Sequence, residues 1–351
     1  MPEVWFAIPG DPKTLTGGYV YARRLMEALP AAGWSPHLLS WPGSFPAPSA
    51  NDLTTARASL AALPRHAPVL VDGLAYGTLP TSLLDGLTQR IVALVHHPLA
   101  LESGLSAAEA ERLRVSERAA LARANQIVVT SPVTAHTLVA DYNVQAHRLH
   151  IAVPGTDRAE RAQGALETPL ILTVGTLTPR KGHDILVQAL ARISDLKWTT
   201  RIVGSTARHT ATATDIAALI AQHRLEDRIH LMGEMSGPAL ASLYKHADVF
   251  ALASRYEGYG MVFAEALAHG LPIVACAGGA VAETVPPDAG LLAPPGDVDA
   301  LAAQLHRMLT DHACRKAMAD AAWRHGQTLP AWSDTARAVA QALTATVEVA
   351  A

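Results

Sequence analysis

Short β-rich runs alternate with longer helical stretches along this whole chain, and no other feature limits its fold so strongly. Such alternation builds βαβ units, in which helices cross over a parallel sheet and cover both of its faces. In the first half, residues 4–8, 37–40, 69–71, 91–95, 127–130 and 149–153 read as strands, and 18–31, 107–124 and 132–140 as the clearest helices. The pattern lapses over the polar stretch 154–168 and then resumes with strands at 170–174, 200–203, 228–231, 249–252 and 273–275. The reading is therefore α/β, with a first doubly wound domain over 1–158, a linker, and a second over 166–328. The remainder, 329–351, carries an amphipathic helix at 332–347 with no strand after it, expected to cross back and brace the first domain.

Size agrees with two domains, since 351 residues exceed the ~250–300 at which a single core stops growing. Half of the residues are hydrophobic and 17% are charged, which excludes a disordered chain. A formal net charge of −3 provides no basic field for nucleic acid. Arg112, Arg114, Arg118 and Arg123 interleave with Glu109, Glu111 and Glu117, as on a solvated, ion-paired helix face. Two cysteines, Cys276 and Cys314, form no C-x-x-C pair and no disulfide framework, so a reducing cytoplasm is expected. No apolar run reaches the ~20 residues of a membrane span, so any membrane contact is expected to be peripheral.

The chemistry concentrates in four loops that follow strands. The segment from Ser254 to Ala275 leaves a strand and opens a helix, with Glu257 in the loop and Glu265 a little over one turn into the helix. Both carboxylates can then meet one ligand at the sheet's carboxyl edge, where Gly258 and Gly260 let the backbone come close. Tyr259 and Met261 complete that loop. A second loop, after the strand ending near Val174, carries Gly175, Thr176, Arg180 and Lys181, with a helix expected to begin near Lys181. Helix N–H groups and fixed cations are what a departing diphosphate requires when no metal assists it.

Together these segments resemble the E-x7-E and V-G-R-L...K-G patterns of glycosyltransferase family 4. The resemblance implies the GT-B fold, two doubly wound Rossmann-like domains facing each other across a crevice, and a retaining, metal-independent sugar transfer. It assigns Glu257 to donor-sugar hydroxyls, Glu265 to the nucleotide ribose and Lys181, followed by Gly182, to the phosphates. Where the family commonly has arginine this chain has Thr176, and Arg180 is expected to supply the second cation from across the loop.

In the first half, Thr16-Gly17-Gly18-Tyr19 resembles the family's N-terminal glycine loop, and His96 its histidine beside the donor sugar, with His97 as the alternative. Gly278-Gly279 and Glu283 resemble a further family stretch, although Glu283 also suits a helix start. Asp297-Val298-Asp299 spells a metal-binding D-x-D, but after Pro294-Pro295-Gly296 it reads as a helix cap.

The expectation is a hexosyltransferase that uses a UDP- or GDP-sugar on a glycan, lipid-linked or small-molecule acceptor in envelope or polysaccharide synthesis. It has no cofactor, metal or nucleic-acid partner. A nucleotide-sugar epimerase or hydrolase, and a non-catalytic sugar-nucleotide binder, are the alternatives.

Overall fold

The computed structural model describes residues 1–165 and 167–348. Position 166, the first of the expected second domain, and 349–351, the end of the expected C-terminal segment, lie outside the described residues. The chain divides into two compact units, one formed by Met1–Gly155 with Pro330–Ala351 and the other by Thr156–Leu329. No helix among the described residues is long and apolar enough to cross a membrane.

The first unit is built on strands β1 (Glu3–Pro9), β2 (Ser35–Trp41), β3 (Pro68–Asp72), β4 (Arg90–Val95), β5 (Gln126–Val129) and β6 (Leu149–Ile151). They lie in the order β2-β1-β3-β4-β5-β6, all parallel. The chain runs outward from β1 in one direction and from β3 in the other, so the strand order reverses between these two. Inner strands are buried on both faces, from Val69–Val71 in β3 to Ile127–Val129 in β5, and this is why they read as continuous apolar runs.

Local chemistry trims the expected helices. The first spans Gly17–Ala28 and tightens into a 3-10 turn over Leu29–Ala32, because Pro30 has no N–H to continue the α-helix. Gly33, at φ +89°, closes that turn. The helix Ala107–Leu121 corrects the charge-pattern reading. Arg114 and Glu111 do pair at the surface, but Glu117 shares the inner face with Leu113, Ala120 and Leu121 and is 1% exposed.

The helix Trp332–Glu348 belongs to this first unit. Thr335 Oγ1 donates to Val153 O at 2.7 Å, Arg90 Nη1 donates to Thr346 O at 2.8 Å, and Trp332 meets Tyr21 edge-on at 5.8 Å. Ala336, Val339, Ala342 and Leu343 are buried along its inner face.

The second unit carries β7 (Leu170–Val174), β8 (Thr199–Val203), β9 (Ile229–Gly233), β10 (Val249–Leu252), β11 (Ile273–Cys276) and β12 (Gly290–Ala293). Their order is β12-β11-β10-β7-β8-β9, so the reversal falls between β7 and β10. Strand β12 is absent from the sequence reading: four residues between Pro286-Pro287 and Pro294-Pro295 offer no alternation to count. Of the stretch read as a linker, 154–155 belong to the first unit, and 156–165 are laid along this one. There Arg158 Nη1 donates to Gly326 O at 2.7 Å, Ala162 N to His269 O at 2.8 Å and Gln163 N to Lys245 O at 2.7 Å.

Candidate active site

In the second unit, two loops leave the carboxyl ends of β7 and β10, on either side of the strand-order reversal. This is where open α/β sheets take their ligands. The loop after β7 is tied down by Gly175 N donating to Val203 O at 2.8 Å and Leu177 N to Ser205 O at 3.1 Å. It then makes a 3-10 turn over Pro179–Lys181, and Gly182 turns left-handed at φ +63°. A Cβ at Gly182 would lie 2.0 Å from Ala253 O, so no other residue fits. The helix expected near Lys181 therefore begins two residues later, as His183–Arg192.

The loop after β10 is stitched to its neighbours in the same way. Arg255 N donates to Arg180 O at 2.8 Å, and Ala280 N to Glu257 O at 2.9 Å. Gly279, at φ +62°, passes so close that a Cβ would meet Glu257 O at 2.3 Å. Gly258 is buried, and Gly260 at φ +88° opens the helix Met261–Ala268, whose fifth residue is Glu265.

These two loops converge on one carboxylate. Lys181 Nζ lies 2.6 Å from Glu257 Oε1 and Arg180 Nη1 lies 3.2 Å from Oε2, while Ser254 Oγ donates to Oε1 at 2.6 Å. Arg180 Nη1 also donates to Tyr256 O at 2.9 Å. Glu257 is 5% exposed, and burial alone would raise its pKa; the two cations overturn that and hold it at about 2. Glu257 is thus a fixed anion that only accepts hydrogen bonds. Two positive charges stand together here despite Thr176, which lies partly exposed in the same turn.

Glu265 differs. Burial pushes it up to about 7, opposed by the hydroxyl of Tyr244, which donates to Oε2 at 2.9 Å. Two carboxylates eight residues apart are therefore driven in opposite directions by their surroundings. Tyr259 is no acid–base group, because burial raises its hydroxyl to about 12. Met261 is partly exposed at the helix start.

Two participants escape the sequence reading. His183 is buried beneath the first loop with Nε2 3.2 Å from Gly175 O, and burial with the Lys181 charge lowers it to about 4. It stays neutral beside the cations. Tyr244 comes from the helix Gly237–His246, outside both loops. Of the remaining candidates, Glu283 lies in the short helix Val281–Thr284, and Asp297 caps the helix Val298–Thr310 by accepting from Ala300 N at 2.8 Å.

In the first unit, a smaller cluster gathers at the carboxyl ends of β1, β3 and β4. Gly17 and Gly18 open the first helix, and a Cβ at Gly18 would sit 3.5 Å from the His96 ring. His96 Nε2 faces Asp72 Oδ2 at 3.4 Å, and its ring meets Tyr21 edge-on at 5.2 Å. His97 turns instead to Glu102, with Nε2 3.4 Å from the carboxylate. The loop is held from behind: Thr130 Oγ1 donates to His96 O at 3.0 Å, and Leu99 N to Glu117 Oε2 at 2.9 Å. Burial raises Glu117 to about 8. Among the described residues, no group of three or more His, Cys, Asp or Glu is placed to hold a metal ion.

Residues 156–325 match the family Glycosyl transferases group 1. An MMP alpha-(1->4)-mannosyltransferase of Mycolicibacterium hassiacum is 29% identical over 327 residues, covering 85% of this chain and 75% of that protein. A D-inositol 3-phosphate glycosyltransferase of Xylanimonas cellulosilytica is 30% identical over 64% of this chain, which spans only 58% of that relative's length. Among solved structures, sucrose-phosphate synthase from Thermosynechococcus elongatus superposes over 100% of both chains with a TM-score of 0.85 at 24% identity. Fold and relatives together define the class: this is a glycosyltransferase of the GT-B fold. Its second unit belongs to glycosyl transferases group 1, in agreement with the resemblance to family 4.

Proposed function

We propose that the chain transfers a hexose, with retention of configuration, from a UDP- or GDP-sugar to a hydroxyl of a glycan, lipid-linked or small-molecule acceptor. The observation that carries this reading is the convergence of Arg180 and Lys181 on Glu257 at the switch point of the second sheet. Arg180 and Lys181 stand side by side at the loop ends as cationic donors suited to the phosphates of a nucleoside diphosphate. As the donor enters, its phosphates take up Lys181 and Arg180, and Glu257 turns its lone pairs to sugar hydroxyls. Glu265 receives the ribose. In the transfer, the bond from the anomeric carbon to the diphosphate oxygen breaks as the acceptor oxygen bonds on the same face. The acceptor's proton passes to the departing diphosphate, whose charge the two cations stabilise without a metal. In the first unit, His96, Gly17 and Gly18 are proposed to act in the transfer, as the resemblance to family 4 implies.

Calorimetric titration with UDP, GDP and ADP, with and without a chelator, tests the reading. Saturable, chelator-insensitive binding of UDP or GDP is expected, in preference to ADP and weakened about tenfold or more by Lys181→Ala and by Glu265→Ala. Failure to bind any of the three, or binding that the chelator abolishes, overturns it.

A further inference from the structure

Glu265 is held by a side chain that neither donor loop contains. Tyr244 is 3% exposed, and its ring is stacked with two others. It lies parallel to His269 at 4.7 Å and 3°, and to Phe250 at 6.2 Å and 13°. His269 is itself anchored, with Nδ1 2.9 Å from Glu160 O. A ring buried and stacked in this way is held by close packing, and its hydroxyl is held with it. Burial raises the phenol well above its ordinary range, which keeps it a donor wherever the protein is folded. That hydroxyl occupies Oε2 of Glu265 at 2.9 Å, while the glutamate keeps part of its surface open. Among the described residues no hydrogen bond reaches Oε1, which leaves that oxygen for a ligand.

The geometry points to Tyr244 as a positioning residue that sets nucleoside specificity: by holding one oxygen of Glu265 it aims the other at ribose hydroxyls, favouring ribonucleotides over deoxyribonucleotides. This rests on the assignment of Glu265 to the ribose. A carboxylate pinned at one oxygen meets the hydroxyl already ordered, whereas a free one must be ordered on binding. A site built to hydrogen-bond a hydroxyl also discriminates against the analogue that lacks it, because its buried acceptor is left unpaired.

The test is calorimetric titration of UDP and GDP and of their 2′-deoxy and 3′-deoxy forms against the wild type, Tyr244→Phe and Glu265→Ala. Phenylalanine keeps the stacked ring and removes only the hydroxyl. The wild type is expected to prefer the ribonucleotide over at least one deoxy form. Tyr244→Phe should weaken ribonucleotide binding about five- to tenfold, the worth of one ordinary hydrogen bond, and leave that deoxy form within about twofold. Its ribo-to-deoxy ratio then approaches that of Glu265→Ala. If Tyr244→Phe keeps the wild-type ratio while Glu265→Ala loses it, the positioning role is wrong and the ribose assignment stands. Equal weakening of ribo and deoxy forms reduces Tyr244 to a structural residue. A wild-type ratio in Glu265→Ala removes the ribose assignment itself, and with it this inference.

Discussion

Replacing Lys181 by methionine keeps most of the side-chain volume and removes one charge from beside Glu257. In the native protein that carboxyl is held at about 2 against an ordinary value of 4.5, a gap of about 2.5 units. At 1.36 kcal/mol per unit this amounts to about 3 kcal/mol of stability at neutral pH. The sign follows from the direction of the shift. A depressed carboxyl contributes fully above about 4.5, and the contribution is lost as pH falls toward about 2. Without Lys181, burial is opposed, among the described residues, by Arg180 at 3.2 Å and Ser254 at 2.6 Å. Lys181→Met should destabilise the second unit at pH 7 by about 3 kcal/mol, taken from the usual cost of breaking a buried ion pair and not from the shift of Glu257, to which Arg180 and Ser254 also contribute. Glu257→Gln should be similarly costly, because it strands two cations, whereas the double variant should fall short of the sum by about 2 kcal/mol. Hydrogen-exchange mass spectrometry along a urea series, read on peptides within 170–276, reports this unit alone. Additive costs, with coupling below about 0.5 kcal/mol, would refute the argument that the cations set the charge state of Glu257.

Glu117 predicts the opposite pH slope in the first unit. Its raised value means that the folded state keeps a proton the unfolded chain releases, so stability should decline between about pH 5 and pH 8, and Glu117→Gln should flatten that decline in thermal melts. Gly182→Ala should cost about 2 kcal/mol or more and abolish nucleotide binding, through its φ of +63° and the 2.0 Å approach to Ala253 O; unchanged titrations would refute this. If the ionised form of Glu265 accepts the ribose hydroxyls, wild-type nucleotide affinity should rise with pH through about 7, and less so in Glu265→Gln. The groups acting on Glu265 are Tyr244, Asp157 and Lys181, and identical slopes in the two proteins would refute its role.

How much of this was legible in the sequence differs from residue to residue. Strands buried on both faces show themselves as apolar runs, and the loops after β7 and β10 carry their function in adjacent residues. Glu257 and Lys181 are therefore readable although 76 positions apart. Glu117 misleads because charge identity points outward while helical spacing, with Leu113, Ala120 and Leu121, points inward; the spacing decides. Tyr244 leaves no local trace, since its hydroxyl acquires a purpose only when the helix Gly237–His246 packs beside Glu265. Strand β12 is too short to show any period, and is defined by pairing with β11.

The return of the helix Trp332–Glu348 to the first unit has a consequence for how the protein is made. During synthesis the six-stranded sheet of Met1–Gly155 emerges well before the helix that covers Tyr21 and Val153, and the whole of Thr156–Leu329 is translated in between. The second unit, continuous in the chain, can close on itself as it leaves the ribosome. The first must wait with an uncovered apolar face. Truncation just before Trp332 is accordingly more damaging to the N-terminal half of the chain than to the half it adjoins, and nascent chains stalled at that point are the ones a holding chaperone would retain.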